Sequence, residues 1–355
     1  MLGPTRARVF TPKVSIDDPG LREQAQQVLP QLPSWLPLAD RIQFQLQIRA
    51  TPLFIDRAVS KWHPDIIHQH FATYGDGAVR ASQRLGVPLI TTLHGGDAYR
   101  LADPGDTRMV RWYAESLARV SAQSHRLLAV SRFLADEAIG VGWPADKIEV
   151  HYQGTDTDFF HPNESVYAAE DHDHPIVLAV GAIAPHKGAV QIAQASAELA
   201  ASHPHRLIFV GDGPQRGEVE RIAATRPHIE LVGSTDRQGV RDWLQRADLF
   251  VMNSHPGRQG RREAAGLVAS EAQACGVPVA IARSGGTPEM FEEGVSGFGF
   301  PEASNDGLRE SLALLLSLPR EERQAMGRAG RDFVVGQRSL TSSLGQLEHI
   351  WESLL

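Results

Sequence analysis

Short apolar runs alternate with longer stretches of helical periodicity through most of this chain, and this alternation limits the fold more than any other feature. Strand, helix and strand in succession form the βαβ unit, which builds a mainly parallel sheet with helices on its faces. In a first block, Ile66-Ile67-His68 and Pro88 to Leu93 read as buried strands, followed by Arg126 to Val130 and Ile148 to His151, with residues 108–125 helical. In a second block, the strands read as Pro175 to Gly181, Arg206 to Gly211, Ile229 to Gly233, Leu249 to Met252 and Pro278 to Ile281.

Between the blocks, Glu164 to His174 is rich in acidic residues and histidines and loses apolar periodicity, which marks a domain boundary. A length of 355 residues exceeds what one ordinary core holds. The expected organisation is therefore an α/β protein of two Rossmann-like domains, residues 1–165 and 175–338, followed by a C-terminal helix over 339–355. No fixed-period repeat links the two blocks, so they are alike in architecture and do not form a solenoid.

Composition narrows the functional classes. With a net charge of −7, the chain lacks the basic surface on which general nucleic-acid binding depends. The single cysteine, Cys275, excludes an internal disulfide and a multi-cysteine metal site, and it fits a reducing compartment. No apolar run approaches the ~20 residues of a membrane span. A cytoplasmic protein, at most peripheral to the cytoplasmic membrane face, is the expectation.

Open α/β sheets bind ligands beyond the carboxyl ends of their strands. The segment Arg262 to Ala272 follows one such strand and holds Glu263 and Glu271 in a fixed spacing. A helix beginning near Gly266 would let a ligand approach its backbone, where first-turn N–H groups can receive phosphate or sugar oxygens. Carboxylates accept paired hydroxyls in charge-assisted geometry, so two of them suit a sugar or a ribose. Each glutamate alone reads equally well as a solvated helix residue.

The surrounding motifs add weight. The run from Gly266 through Ala274-Cys275-Gly276-Val277-Pro278-Val279 to Gly285-Gly286-Thr287-Pro288-Glu289 and Gly297 resembles the C-terminal domain of the GT-B retaining glycosyltransferases of family 4. Val180 to Gly188, Phe209 to Pro214, Val232-Gly233 and Gln153 to Phe160 extend the resemblance over roughly residues 60–355. It implies two facing Rossmann-like domains with an interdomain cleft, and a last helix that crosses back onto the first domain. The apolar stripe of Leu340, Leu344, Leu347, Ile350, Trp351 and Leu354 suits that helix.

By this resemblance, Glu263 contacts hydroxyls of the transferred sugar and Glu271 the nucleotide ribose. The backbone around Gly181, Gly266, Leu267 and Val268 holds the sugar or diphosphate, and Lys187 neutralises the departing diphosphate. That last role also follows from chemistry, because a fixed cation stabilises growing negative charge in a dry site. In Thr91 to Asp97, His94 corresponds to the histidine that approaches the transferred sugar; with Lys187 and Glu263 it completes the catalytic set. His68 and His70 point to one face of a strand without a further ligand nearby in sequence, so no metal site is expected. Ser131 reads as the cap of the helix beginning at Arg132.

Two departures stand out. Where the family carries an arginine five positions before this lysine, the chain has Ala182, and Arg258, Arg261 or Arg262 in the loop before Glu263 would supply the missing charge. Gly3 to Phe10 resembles the family's second strand, so the first domain is expected to lack the first strand, glycine loop and helix. Leu29 to Leu38, with Trp35 among prolines, is expected to pack on the domain, the alternatives being to line a lipid-linked acceptor or to touch a membrane.

The expected activity is retaining, metal-independent transfer of a hexose-type sugar, without a cofactor, from a UDP- or GDP-sugar to a glycan, lipid-linked or small-molecule acceptor. Exopolysaccharide or glycoconjugate synthesis is the expected setting. The competing expectation is a catalytically weak sugar-nucleotide-binding or scaffold subunit of a glycan assembly complex.

Overall fold

The computed structural model describes residues 9–11, 25–27, 55–101, 108–167, 174–257 and 260–355. Gly3 to Arg8, the Leu29 to Leu38 stretch and Arg258 lie outside them. Val9–Thr11 (β1) and Ala25–Gln27 (β2) pair as a two-stranded parallel sheet.

The first unit is built on four parallel strands in the order β3-β4-β5-β6: Ile67–His70, Leu89–Leu93, Arg126–Ala129 and Ile148–Val150. Helices Asp76–Leu85 (α1) and Arg108–Gln123 (α2) make the crossovers between the first three strands. All of β4 is buried, as expected of a strand covered on both faces. Arg132–Gly140 (α3) follows β5.

The second unit begins at His151 and also takes in Val130–Leu134. The sequence expectation put residues up to 165 with the first domain, whereas residues 151–165 cluster with the second. Within the polar 164–174 stretch, Glu164–Tyr167 (α4) forms a helical turn whose Tyr167 hydroxyl donates to Asp248 Oδ1.

Six parallel strands make the second sheet, in the order β12-β11-β10-β7-β8-β9. These are Ile176–Val180 (β7), Arg206–Val210 (β8), Ile229–Gly233 (β9), Leu249–Met252 (β10), Val279–Arg283 (β11) and Gly297–Pro301 (β12). The crossovers from β7 through β11 are Ala189–Leu199 (α5), Arg216–Ala223 (α6), Arg237–Leu244 (α7) and Leu267–Ala274 (α8). The chain closes with Asn305–Ser317 (α9), Arg320–Gln337 (α10) and Leu340–Glu352 (α11).

Strand residues alternate between two apolar layers. Val177, Ala179, Leu207 and Phe209 join one buried cluster, and Ile176, Leu178, Ile208 and Val210 the other. This is why the strands read as continuous apolar runs without a polar alternation. The strand order reverses between β7 and β10, which creates a crevice at their carboxyl ends.

Along α11 the predicted stripe is only partly covered: Leu347 and Ile350 are buried, whereas Leu340 and Leu344 are exposed. Ile350–Leu355 groups with the first unit, where the Trp351 ring stands edge-on to His68 at 6.0 Å. No helix of the described residues is long and apolar enough to cross a membrane.

Candidate functional site

The loops after β7 and β10 flank the reversal point, and glycine permits their close approach. Gly188, at φ +63°, lies so near the β10 exit that a Cβ there would sit 2.5 Å from Asn253 and His255 atoms. The preceding 3-10 turn, Pro185–Lys187, thereby brings Lys187 Nζ to 2.5 Å from Glu263 Oε2. Ser254 Oγ donates to the same carboxylate oxygen at 3.3 Å. The side chains of Lys187 and Glu263 keep 30% and 21% of their surface, so both remain open to a ligand.

Glu263 is held from behind as well. Gly286 N–H donates to its carbonyl at 2.9 Å, and Gly285, at φ +67°, passes so close that a Cβ there would come within 2.1 Å of that oxygen. A pocket of about 1200 Å³ opens beside the pair, lined also by His186, His255 and Arg261. Burial pushes the His255 ring below its ordinary pKa, with Glu302 pulling the other way. Neither ring nitrogen of His255 has a hydrogen-bond partner among the described residues.

Gly266 stands at φ +77° as the N-cap of α8, without a side-chain capping bond. Among the described residues the N–H groups of the first turn, Leu267 and Val268 among them, have no side-chain acceptor, and they carry the positive end of the helix dipole. Glu271, the fifth residue of α8, lies just over one turn from its start. Burial pushes its carboxyl up to about 7, and Arg237 on α7 pulls it back only in part. Arg237 is itself paired with Asp156 at 3.1 Å and stacked over Phe159 at 4.2 Å. No protein group hydrogen-bonds the Glu271 carboxylate among the described residues, so its oxygens can accept ligand hydroxyls. Gly181 closes β7 at φ +140°, with its carbonyl against Gly211.

The loop arginines diverge. Arg261 lines the pocket. Arg262 forks onto Glu302 through Nε and Nη2 at 2.9 to 3.1 Å, and this pairing holds the Glu302 carboxyl below its usual range. Arg258 is outside the described residues.

In the first unit, His94 follows β4 and its ring is stacked on Phe71 at 4.3 Å. His94 Nε2 lies 3.0 Å from His70 Nδ1, and His68 Nε2 lies 2.7 Å from Thr92 Oγ1. Burial lowers the His94 pKa, with Asp97 acting in the opposite direction. His68 and His70 do share a strand face, with rings stacked at 4.6 Å. No cluster of potential metal ligands forms among the described residues.

Three residues that flank these motifs, Asp97, Ser131 and Glu289, hold the loops in place, and of these the sequence pattern assigns a role only to Ser131. Asp97 is buried and accepts the backbone N–H groups of Ala72, His94 and Gly95, each at 3.0 Å, so it shapes the histidine-glycine turn. Ser131 Oγ accepts the Leu134 N–H as a cap and also donates to the Ala264 carbonyl at 2.6 Å. Glu289 accepts the N–H groups of Arg132 and Phe133 at the start of α3 and the Tyr152 hydroxyl. No local sequence signal shows that Asp97 gathers N–H groups that precede it, and none pairs Glu289 with residues so distant.

One unit is a doubly wound sheet with a lysine, two glutamates and a helix start at its reversal point, and the other a second parallel α/β sheet, the architecture of a two-domain α/β protein. Residues 162–333 match the family model for glycosyl transferases group 1, and residues 6–159 match that for glycosyltransferase family 4. A D-inositol 3-phosphate glycosyltransferase of Kribbella flavida is 30% identical over 77% of this chain and 67% of its own length. That of Segniliparus rotundus is 32% identical over 76% of this chain, which spans 62% of the relative. An N-acetyl-α-D-glucosaminyl L-malate synthase of Bacillus anthracis is 27% identical over 82% of this chain and 75% of its length. Sucrose-phosphate synthase from Thermosynechococcus elongatus superposes with a TM-score of 0.74 at 21% identity, covering 97% of this chain and 88% of that one. The Anabaena protein HepE in complex with UDP superposes at 0.72 and 19% identity, over 85% and 82%. The chain belongs to the group 1, family 4 glycosyltransferases and has the GT-B fold.

Proposed function

We propose that this chain transfers a hexose-type sugar from a nucleoside-diphosphate sugar to a hydroxyl acceptor, with retention at the anomeric carbon and without a metal. The observation that carries the reading is the Lys187–Glu263 pair beside the start of α8, with Glu271, whose carboxylate has no hydrogen-bond partner among the described residues, about one turn further on. A diphosphate placed at Lys187 and the first turn of α8 meets two sources of positive potential, which stabilise the charge that develops as the sugar leaves.

In this mechanism the acceptor oxygen attacks the anomeric carbon on the face from which the diphosphate departs. The carbon–oxygen bond to the phosphate breaks, the new glycosidic bond forms, and the leaving phosphate oxygen takes the acceptor's proton. Glu263 holds hydroxyls of the transferred sugar, Glu271 the ribose, and His94 a further sugar hydroxyl. UDP- and GDP-sugars are the proposed donors; a structural neighbour bound to UDP supports the first.

The acceptor is a glycan, a lipid-linked glycan or a small molecule in exopolysaccharide or glycoconjugate synthesis on the cytoplasmic side of the membrane. Relatives named for inositol 3-phosphate and L-malate favour the small-molecule arm. Incubation with UDP-, GDP- and ADP-sugars and an acceptor panel, read by product formation and anomeric configuration, tests the reading. Donor binding without hydrolysis or transfer would instead establish a scaffold subunit.

A further inference from the structure

The amino ends of β10 and β11 carry a second pocket, of about 520 Å³, at the opposite end of the strands from Lys187. Its position is fixed by Asp248, just before β10, whose Oδ2 accepts the Ile176 N–H at 2.9 Å. Arg323, in the first turn of α10, lines this pocket and is only 7% exposed. One guanidinium nitrogen donates to the Leu318 carbonyl at 2.5 Å, while Nε has no hydrogen-bond partner.

No carboxylate lies within ion-pair distance of Arg323 among the described residues. A buried cation with an unsatisfied N–H and no counter-charge is costly, so such groups are found where an anion completes them. The nearest acid in the pocket, Asp248, has both oxygens occupied, by Tyr167 and by the Ile176 N–H. Exposed Arg320 and Arg328 stand on the same lining, against the single exposed carboxylate of Glu164. Leu244, Ala247 and Pro278 give the wall an apolar part, beside the polar side chains of Asn163, Gln245 and Gln324.

We infer that this pocket is a second ligand site, distinct from the one at Lys187, which takes a phosphate monoester whose organic part lies on the apolar wall. Guanidinium forks match phosphate oxygens in bidentate geometry, and the N-terminal turn of α10 adds its dipole in the same direction. The ester is either a soluble metabolite or an anionic lipid headgroup, both of which present the same terminal phosphate.

Phenyl phosphate is the probe for the soluble arm and vesicles of phosphatidic acid in phosphatidylcholine for the lipid arm, each titrated into the full chain by calorimetry or sedimentation. The expected result is binding of at least one probe that weakens tenfold or more in R320A/R328A and in Arg323→Gln. Phenyl phosphate alone identifies a soluble ligand; vesicle binding with the same sensitivity identifies a headgroup. Since Arg323→Gln could impair folding, circular dichroism accompanies it, and the exposed double variant decides the matter on its own. Equal binding by wild type and R320A/R328A, as phosphate held at Lys187 would give, or binding of neither probe, overturns the inference.

Discussion

Lys187 Nζ and Glu263 Oε2 are 2.5 Å apart, joining the loops that leave β7 and β10 on either side of the strand reversal. The cation proposed to meet the diphosphate and the carboxylate proposed to meet the sugar therefore position each other.

Removing either partner frees the other, so the two residues act as a unit. Lys187→Ala is expected to lower kcat/KM by roughly 100- to 1000-fold, the usual loss for one preorganised charge-stabilising donor. In a double-mutant cycle with Glu263→Gln, the losses fall short of additivity by about 1 kcal/mol or more. Strict additivity would show that the pair is not coupled in the transition state.

Glu271 makes a prediction in pH. Its carboxyl titrates at about 7 in the folded protein, above the ordinary 4.5, because burial disfavours the charged form. The protonated form thus stabilises the fold fully below pH 4.5, and this contribution is lost as pH rises through 7, an upper limit of roughly 3 kcal/mol. Urea denaturation should find Glu271→Gln more stable than wild type at pH 8 and equal at pH 4. Wild-type donor affinity should rise between pH 6 and 8, since the ionised form accepts ribose hydroxyls better, and Glu271→Gln should lose that rise. Parallel pH profiles for the two proteins would refute the assignment.

Much of this was legible beforehand. Apolar runs such as Ile176 to Val180 exposed the parallel strands, since a strand buried on both faces has no polar residue to interrupt it. The glycine before α8 marked a helix start that needs a left-handed residue. Other features depend on contacts between distant segments. Nothing in the local pattern says that Arg262 turns to Glu302, that Asp97 gathers three N–H groups, or that Leu344 on an apolar stripe faces solvent. The burial that raises Glu271 is likewise a property of packing and leaves no trace in its neighbours along the chain.

Asp97 supports the His94 turn with three charge-assisted bonds. Asp97→Ala strands these buried donors and should cost about 3 kcal/mol or more of stability. Asp97→Asn keeps one acceptor oxygen but turns an NH₂ toward a donor, so it should fall in between. Thermal unfolding would order the three proteins, and an Asn variant no better than Ala would show that both oxygens are required.

Gly285 combines a left-handed backbone with a Cβ position 2.1 Å from the Glu263 carbonyl. Gly285→Ala must push that carbonyl away, at a cost of at least about 1–2 kcal/mol from the backbone alone. Because the same backbone carries the Glu263 side chain, donor KM should rise along with the loss of stability. An alanine at Gly294, also left-handed but with open space around it, should cost stability without changing KM.

Ala182 leaves a charge missing from the expected diphosphate contacts. Arg262 is already forked onto Glu302, so its removal should release Glu302 and leave donor affinity within about twofold. Arg261 lines the pocket beside Lys187, and Arg261→Ala should weaken donor binding by about tenfold, the loss of roughly 1.4 kcal/mol expected when one partly exposed cation no longer meets a diphosphate. Fluorescence or calorimetric titration of UDP and GDP into Arg258→Ala, Arg261→Ala and Arg262→Ala separates the three. If all bind as wild type does, the loop supplies no substitute charge, and Lys187 with the start of α8 must hold the diphosphate without an arginine.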